Sequence, residues 1–187
     1  MSEAVSSGVA AVFLDRDGTL IVDKGYLRDP AEIELLPGVV ERLRRIQARG
    51  YLLVMVTNQS GIGRGYFTEE DLQAQHARLR LLLAEAGVVL AAMEHCPHQP
   101  EDRCSCRKPK PGLLLRAAER HGIDLARSYM VGDKPSDVDA GAAAGCKTVL
   151  IADDPIEEGQ KLADHIASSA AAALDWVLEE TESIVGT

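Results

Sequence analysis

Two groups of residues in this chain have types and spacings that suit chemistry. Between Cys96 and Cys106 the stretch CPHQPEDRCSC gathers Cys96, His98, Cys104 and Cys106 within eleven residues, although only one other cysteine, Cys146, occurs in the chain. The spacing CxHx5CxC offers four soft or borderline donors from one loop. That is the donor set of a closed tetrahedral zinc site, with no position left for water, so zinc there is expected to be structural. A disulfide is the rival reading, disfavoured because Cys104 and Cys106 are too close in sequence to bridge comfortably and because a cytoplasmic setting keeps thiols reduced. His95, beside Cys96, is an alternative ligand, and Cys146 reads as a small buried residue. Arg107 and Lys108 follow the last ligand directly, so a metal knot at Cys106 would also fix two cations.

The second group is acidic. Asp15 and Asp17 end the apolar run VAAVFLD (9–15) in the sequence DRDGT, and Asp133 and Asp137 lie one helical turn apart after SYMVGD (128–133). As a turn begins after the strand, Asp15 and Asp17 leave it on alternate sides, an arrangement that suits a nucleophile and an acid/base partner. Three or four carboxylates brought together would repel and partly protonate, so a bound Mg²⁺ is the expected compensation. Asp17-Gly18 taken alone is also ordinary turn chemistry. Thr57, Asn58 and Gln59 end another apolar run, YLLVMVTN (51–58), which adds polar groups to the same edge.

The elements that must position these groups alternate along the chain. Apolar runs at 9–15, 51–58, 88–95, 128–133 and 147–152 predict five strands. Helical patterns separate them at 37–50, 68–87, 111–122 and 136–145, and an alanine-rich helix at 170–181 closes the chain. Thr68 before Glu69, Glu70 and Asp71 is an N-cap signature. Near-continuous apolar strands between helices predict an α/β, Rossmann-like fold with a parallel five-stranded sheet covered on both faces. In such sheets ligands sit beyond the carboxyl ends of the strands, where the polar groups above are found.

With 187 residues, one domain spanning 1–187 is expected. The net charge of −9 and a pI near 5.0 disfavour nucleic acid as a partner, as do only seven aromatic residues for base stacking. No apolar run approaches a membrane span. The start of the chain lacks a basic leader region and carries Glu3, which does not fit a secretion signal, so a cytoplasmic protein is expected, and a monomer because no long exposed apolar stripe is evident. The segment DDPIEEGQ (153–160) reads as a surface loop, and Lys110, His76, His121 and His165 as solvent-facing.

In all four motif positions the sequence resembles the haloacid dehalogenase (HAD) superfamily of phosphohydrolases: FLDRDGTL (13–20), TN (57–58), RKPKP (107–111) and VGDKPSD (131–137), in the right order. The resemblance implies that Asp15 attacks phosphorus to form an aspartyl-phosphate, that Asp17 protonates the leaving alcohol and then activates water, and that Thr57 and Lys108 bind the transferring phosphoryl oxygens. It further implies Mg²⁺ held by Asp15, the backbone carbonyl of Asp17 and Asp133, with Asp137 orienting Lys108 or a metal-bound water. Within the superfamily, TNQSGIGRGYFT (57–68), the zinc loop and GDK (132–134) are similar to the D-glycero-D-manno-heptose 1,7-bisphosphate phosphatases, and the zinc loop also to the histidinol-phosphatases. The implied substrate is a small phosphorylated sugar, losing its C7 phosphate. No cap domain fits between the motifs, so the loops at 21–30, around Arg64 and at the zinc cluster would surround the entrance. Asn58, Gln59, Arg64, Arg107 and Lys134 are the expected substrate-binding residues, with a solvated loop arginine as the other reading of Arg64. A polynucleotide 3′-phosphatase, a phosphotransferase and an inactive zinc-stabilised interaction module are the remaining alternatives.

Overall fold

The computed structural model describes residues 8–152 and 163–185. The expected surface loop at 153–160 and the start of the chain lie outside the described residues. Six strands form one all-parallel sheet: β1 (Ala11–Leu14), β2 (Leu52–Asn58), β3 (Ala92–Cys96), β4 (Tyr129–Gly132), β5 (Lys147–Ile151) and β6 (His165–Ala167), in the order β3-β2-β1-β4-β5-β6. The helices are α1 (Val39–Ala48), α2 (Ser60–Gly63), α3 (Glu69–Glu85), α4 (Gly112–His121), α5 (Pro135–Ala144) and α6 (Ala170–Val185). Among the described residues none of these helices is long and apolar enough to cross a membrane.

The central strands are apolar along most of their length because both faces of the sheet are covered, with polar residues at their ends. Val12 and Leu14 of β1 join the core formed with α1, α3 and α6 through Leu43, Leu79 and Leu174. Ala11 and Phe13 point the other way and join the core formed with α4 and α5 through Leu113, Ala117 and Ala140. Full burial of side chains as large as Phe13 and Leu14 contributes about 2 kcal/mol each relative to exposure. At the start of α3, Thr68 Oγ1 accepts from the Asp71 N–H at 3.1 Å while Asp71 Oδ2 accepts from the Thr68 N–H at 2.8 Å, the reciprocal cap that the sequence of acids after Thr68 predicts.

The sheet differs from the expected one in two places. A sixth strand exists: His165–Ala167 pairs with Val149–Ile151 at the edge, too short to produce a periodic signal of its own. The third strand begins at Ala92 rather than Val88, because pairing starts only at Val54↔Ala92; Val88 and Leu90 are buried as part of the approach to it. β1 is the switch point of the topology, with the chain winding outward to β3 on one side and to β6 on the other. A crevice therefore opens beyond the carboxyl ends of β1, β2 and β4.

Candidate active site

Asp15 follows β1 directly, is 4% exposed, and its N–H donates to Val131 O of β4 at 3.0 Å. Three residues on, the chain turns at Gly18 with φ +79, and a Cβ there would lie 2.4 Å from Asp133 Oδ2. Only glycine lets this turn close against the carboxylate that ends β4. One oxygen of each of Asp15, Asp133 and Asp137 falls within a 4.8 Å cluster, and Asp133 Oδ1 is buried without a hydrogen-bond partner. Burial, and then the neighbouring Asp15 carboxylate, push Asp133 up to about 7. An acidic cluster with an orphaned, buried oxygen fits a hard cation that takes oxygen ligands.

Lys108 reaches this cluster from the loop before α4. Its Nζ lies 2.7 Å from Asp15 Oδ1 and 2.6 Å from Asp137 Oδ1, and donates to Val56 O at 2.8 Å. Burial opposes its charge, but Asp15 and Asp137 outweigh that and raise it to about 12, so it is an ammonium at any physiological pH. Asn58 at the end of β2 holds the lysine backbone from both sides: the Lys108 N–H donates to Asn58 Oδ1 and Asn58 Nδ2 donates to Lys108 O, each at 3.1 Å. Asn58 therefore serves the backbone of Lys108, in addition to lining the cavity.

The carboxylate of Asp17 is held differently. Arg16, 1% exposed, sends Nε to Asp17 Oδ2 at 2.9 Å and Nη2 to Asp17 Oδ1 at 3.1 Å. Gln59 Nε2 donates to Asp17 Oδ2 at 3.0 Å and to Thr57 Oγ1 at 2.8 Å, which ties Thr57 to the same group. Beyond these residues opens a cavity of about 580 Å³, lined among others by Asp23, Tyr26, Gln59, Arg107 and Lys134. That is an ordinary size for a small-molecule site. The loop at 21–30 and the end of the zinc loop both contribute to it. Lys134 Nζ stands 3.7 Å from Asp23 Oδ2 across the mouth. Arg64 is exposed and does not line this cavity; it caps the short α2, whose first residues Ser60 and Gly61 do.

The cysteine loop closes on itself beside the site. Sγ of Cys96 lies 3.6 Å from that of Cys104 and 3.3 Å from that of Cys106, Cys104 and Cys106 are 3.5 Å apart, and His98 Nδ1 is 3.5 and 3.4 Å from Cys96 and Cys106. All four cysteines are free thiols, and these separations are far from a disulfide bond of ~2.05 Å. They approach the edges of the tetrahedron, roughly 3.7 Å, that follows from Zn–S bonds of ~2.3 Å. Burial first, together with its thiol neighbours, pushes Cys96 up to about 12, so without a cation this thiol keeps its proton. Arg107 Nη1 donates to His98 O at 3.1 Å, anchoring that side chain to the loop. A Cβ on Gly112 would fall 2.4 Å from Ser105 O, so the first turn of α4 packs directly on the loop.

His95 is not part of the cluster; its Nε2 lies 3.0 Å from Glu69 Oε1. Against expectation His76 is buried, its ring edge-on to His95 with centroids 5.7 Å apart, and burial, then the charge of Arg16, lower it to about 3. Helical position alone did not reveal that this face of α3 lies over the loop end of the sheet. His165 also lies in a strand and stacks on Trp176 at 4.9 Å instead of standing free. Sequence reasoning assigned no role to Arg16, Gln75 or Tyr26, all of which stand at or behind the cavity; for Arg16, the signal was a lone guanidinium between two carboxylates at a strand end.

A HAD-hydrolase-like family model matches residues 105–180. The D-glycero-beta-D-manno-heptose-1,7-bisphosphate 7-phosphatase of Pasteurella multocida is 45% identical over 170 residues, covering 86% of this chain and 92% of its own length. The chain belongs to the heptose-1,7-bisphosphate phosphatase family of HAD hydrolases. The relative from Escherichia coli K12 with the same name is 41% identical over 177 residues, 89% of this chain and 93% of that one. Among solved structures, the D,D-heptose 1,7-bisphosphate phosphatase of B. bronchiseptica complexed with magnesium and phosphate superimposes with a TM-score of 0.81 at 34% identity, covering 91% of this chain and 99% of the other. A putative HAD-like phosphatase from Mesorhizobium loti gives 0.80 at 35% identity, covering 94% and 87%.

Proposed function

We propose that this chain hydrolyses the C7 phosphate of D-glycero-D-manno-heptose 1,7-bisphosphate in the β configuration. The observation that carries the reading is the position of Lys108, between Asp15 and Asp137 at 2.7 and 2.6 Å, on the floor of a cavity open to a small polar ligand. Asp15 is the nucleophile: one of its oxygens forms a bond to phosphorus as the bond from phosphorus to the sugar oxygen breaks. Asp17 delivers a proton to that oxygen, and in the second step takes one from the water that releases phosphate from Asp15. Lys108 and Thr57 hold the phosphoryl oxygens, and Asp137 keeps the ammonium aimed. Mg²⁺, supported by the magnesium of the B. bronchiseptica structure, would be held by Asp15, Asp133 and the carbonyl of Asp17, and supplies the positive charge that lets a carboxylate approach a phosphate dianion.

Arg107 and Lys134, both in the cavity wall, would meet the phosphate that stays on the sugar and its hydroxyls. Tyr26 joins Tyr66 edge-on at 4.6 Å, both about half exposed, and gives this rim an apolar wall. In this reading the thiol cluster holds a structural zinc ion and the chain works as a monomer in the cytoplasm, the setting in which such thiols stay reduced. The test is phosphate release with Mg²⁺ from both anomers of heptose 1,7-bisphosphate, histidinol phosphate, fructose 1,6-bisphosphate and a 3′-phosphorylated oligonucleotide. The β-heptose substrate is expected to have the highest kcat/KM; histidinol phosphate ahead of it would move the chain to the other branch that carries the zinc loop.

A pH dependence follows from Asp133. Its folded pKa, about 7, lies above the ordinary carboxylate value, so the metal-free fold keeps a proton that the unfolded chain has already lost. The metal-free fold therefore loses stability as pH rises from about 4 to 7 and levels off above that. Mg²⁺ displaces the proton, so the rise in Tm on adding Mg²⁺ is expected to grow across this window. A Mg²⁺ effect that stays constant from pH 5 to pH 8 would show that Asp133 does not hold the ion.

A further inference from the structure

Arg16 is the largest fully buried side chain among the described residues, and its polar contacts converge on Asp17, Gln59 and Gln75. Nε and Nη2 form a fork on Asp17 at 2.9 and 3.1 Å, Nη2 also donates to Gln59 Oε1 at 3.2 Å, and Nη1 donates to Gln75 Oε1 at 2.8 Å. Gln75 is itself fully buried on α3, and its Nε2 donates to Leu27 O at 2.9 Å, in the loop that carries Tyr26. Asp17 Oδ2 accepts from both Arg16 Nε and Gln59 Nε2, whereas Oδ1 accepts from Arg16 Nη2 alone. A carboxylate has about four acceptor positions, two per oxygen. Three are filled, and the one left is on Oδ1.

From this geometry we propose that Arg16 is a positioning residue for proton transfer: with Gln59 it saturates Asp17 Oδ2 and leaves Oδ1 as the oxygen that exchanges a proton with the reacting groups. The inference rests on the assignment of Asp17 as acid and base. In the first step the proton on Oδ1 passes to the sugar oxygen as its bond to phosphorus breaks; in the second, a proton from the attacking water returns to Oδ1. Gln75, itself anchored on Leu27 O, sets the far end of the guanidinium, so the fork cannot rotate away from Asp17 without breaking the Nη1 bond to Gln75. A fixed bidentate partner orients a carboxylate more tightly than a lysine ammonium would, because only the planar fork matches both oxygens.

A buried arginine that merely tied α3 to the turn after β1 would make the same contacts, so the test reads leaving-group dependence. The value of kcat/KM covers the steps up to departure of the alcohol. It is compared for the sugar bisphosphate, whose alkoxide needs a proton, and for p-nitrophenyl phosphate, whose phenolate does not. Asp17→Asn is expected to lower the sugar value ~10²–10⁴-fold more than the aryl value. Arg16→Met is expected to show the same selectivity, roughly 10–100-fold, with Arg16→Lys between it and the unaltered chain. Equal losses on both substrates in Arg16→Met, beside a selective Asp17→Asn, would overturn the positioning role and leave the reading of Asp17 standing. Equal losses in Asp17→Asn itself would overturn that reading and this proposal with it. If Arg16→Met does not fold, Gln75→Leu decides: a loss a few-fold larger for the sugar supports the role, and an equal loss on both substrates ends it.

Discussion

Asp15→Asn is expected to abolish turnover, by on the order of 10⁵-fold or more in kcat, the scale on which removing a nucleophile lowers a covalent hydrolase. The amide has the shape of the carboxylate but has lost the negative charge and the second acceptor oxygen, so it cannot attack phosphorus. Asp17 is poorly placed to substitute, because three donors from Arg16 and Gln59 engage its carboxylate. The fold should tolerate the change. Asp15 shares a buried cluster with Asp133 and Asp137, so removing one negative charge relieves repulsion, while Lys108 keeps Asp137 at 2.6 Å as its partner. Phosphate release and Tm measured on the same preparation separate the two effects. An unchanged or slightly higher Tm with no turnover is the expected pair of results; turnover within tenfold of the unaltered chain would remove Asp15 as the nucleophile.

What could be read in advance divides along physical lines. The alternation of strands and helices was legible because a sheet buried on both faces requires strands with continuous apolar runs, and β1, β4, the first five residues of β2 and the last three of β5 supply them. The grouping of Asp15, Thr57 and Asp133 at one edge follows from the rule that parallel strands deliver their carboxyl ends to the same side, and Lys108 comes to it from the loop before α4. Local chemistry was legible where it was local, as at Thr68 and in the cysteine loop. Contacts that join distant segments were not. Arg16 meets Gln75 across 59 positions of sequence, and nothing in the periodicity of α3 marks Gln75 as the one buried amide that completes the fork. The same holds for His76, whose surroundings depend on how α3 crosses the sheet. Arg64 took the second of its two readings, that of a solvated loop arginine: the turn after α2 leaves it exposed and outside the cavity wall.

The second large effect concerns the cysteine cluster. Protein purified without chelator is expected to carry about one zinc ion per chain, and Cys106→Ser to lose it. The consequence should reach the chemistry because Cys106 is followed by Arg107 and Lys108, and few other contacts hold this stretch in place. The Lys108 backbone has the Asn58 pair at 3.1 Å, and the Arg107 guanidinium has the carbonyl of His98, itself a member of the cluster. Releasing the knot frees the Arg107 side chain and leaves the Lys108 backbone to the Asn58 pair. A misplacement of about 1 Å at a catalytic group can lower turnover ~10²-fold, and that is the expected fall in kcat. Stability falls too, because the buried Cys96 and the first turn of α4 lose what they pack on. A loss of about 3 kcal/mol corresponds to a Tm lower by roughly 6–12 °C in a chain of this size. Cys146→Ser is the matched control: that thiol is buried outside the cluster, so this variant should keep its zinc. Zinc-free protein with full activity and an unchanged Tm in Cys106→Ser would mean that the loop orders its two cations without a metal, with Asn58, Asp137 and the Val56 carbonyl enough to aim Lys108 at Asp15.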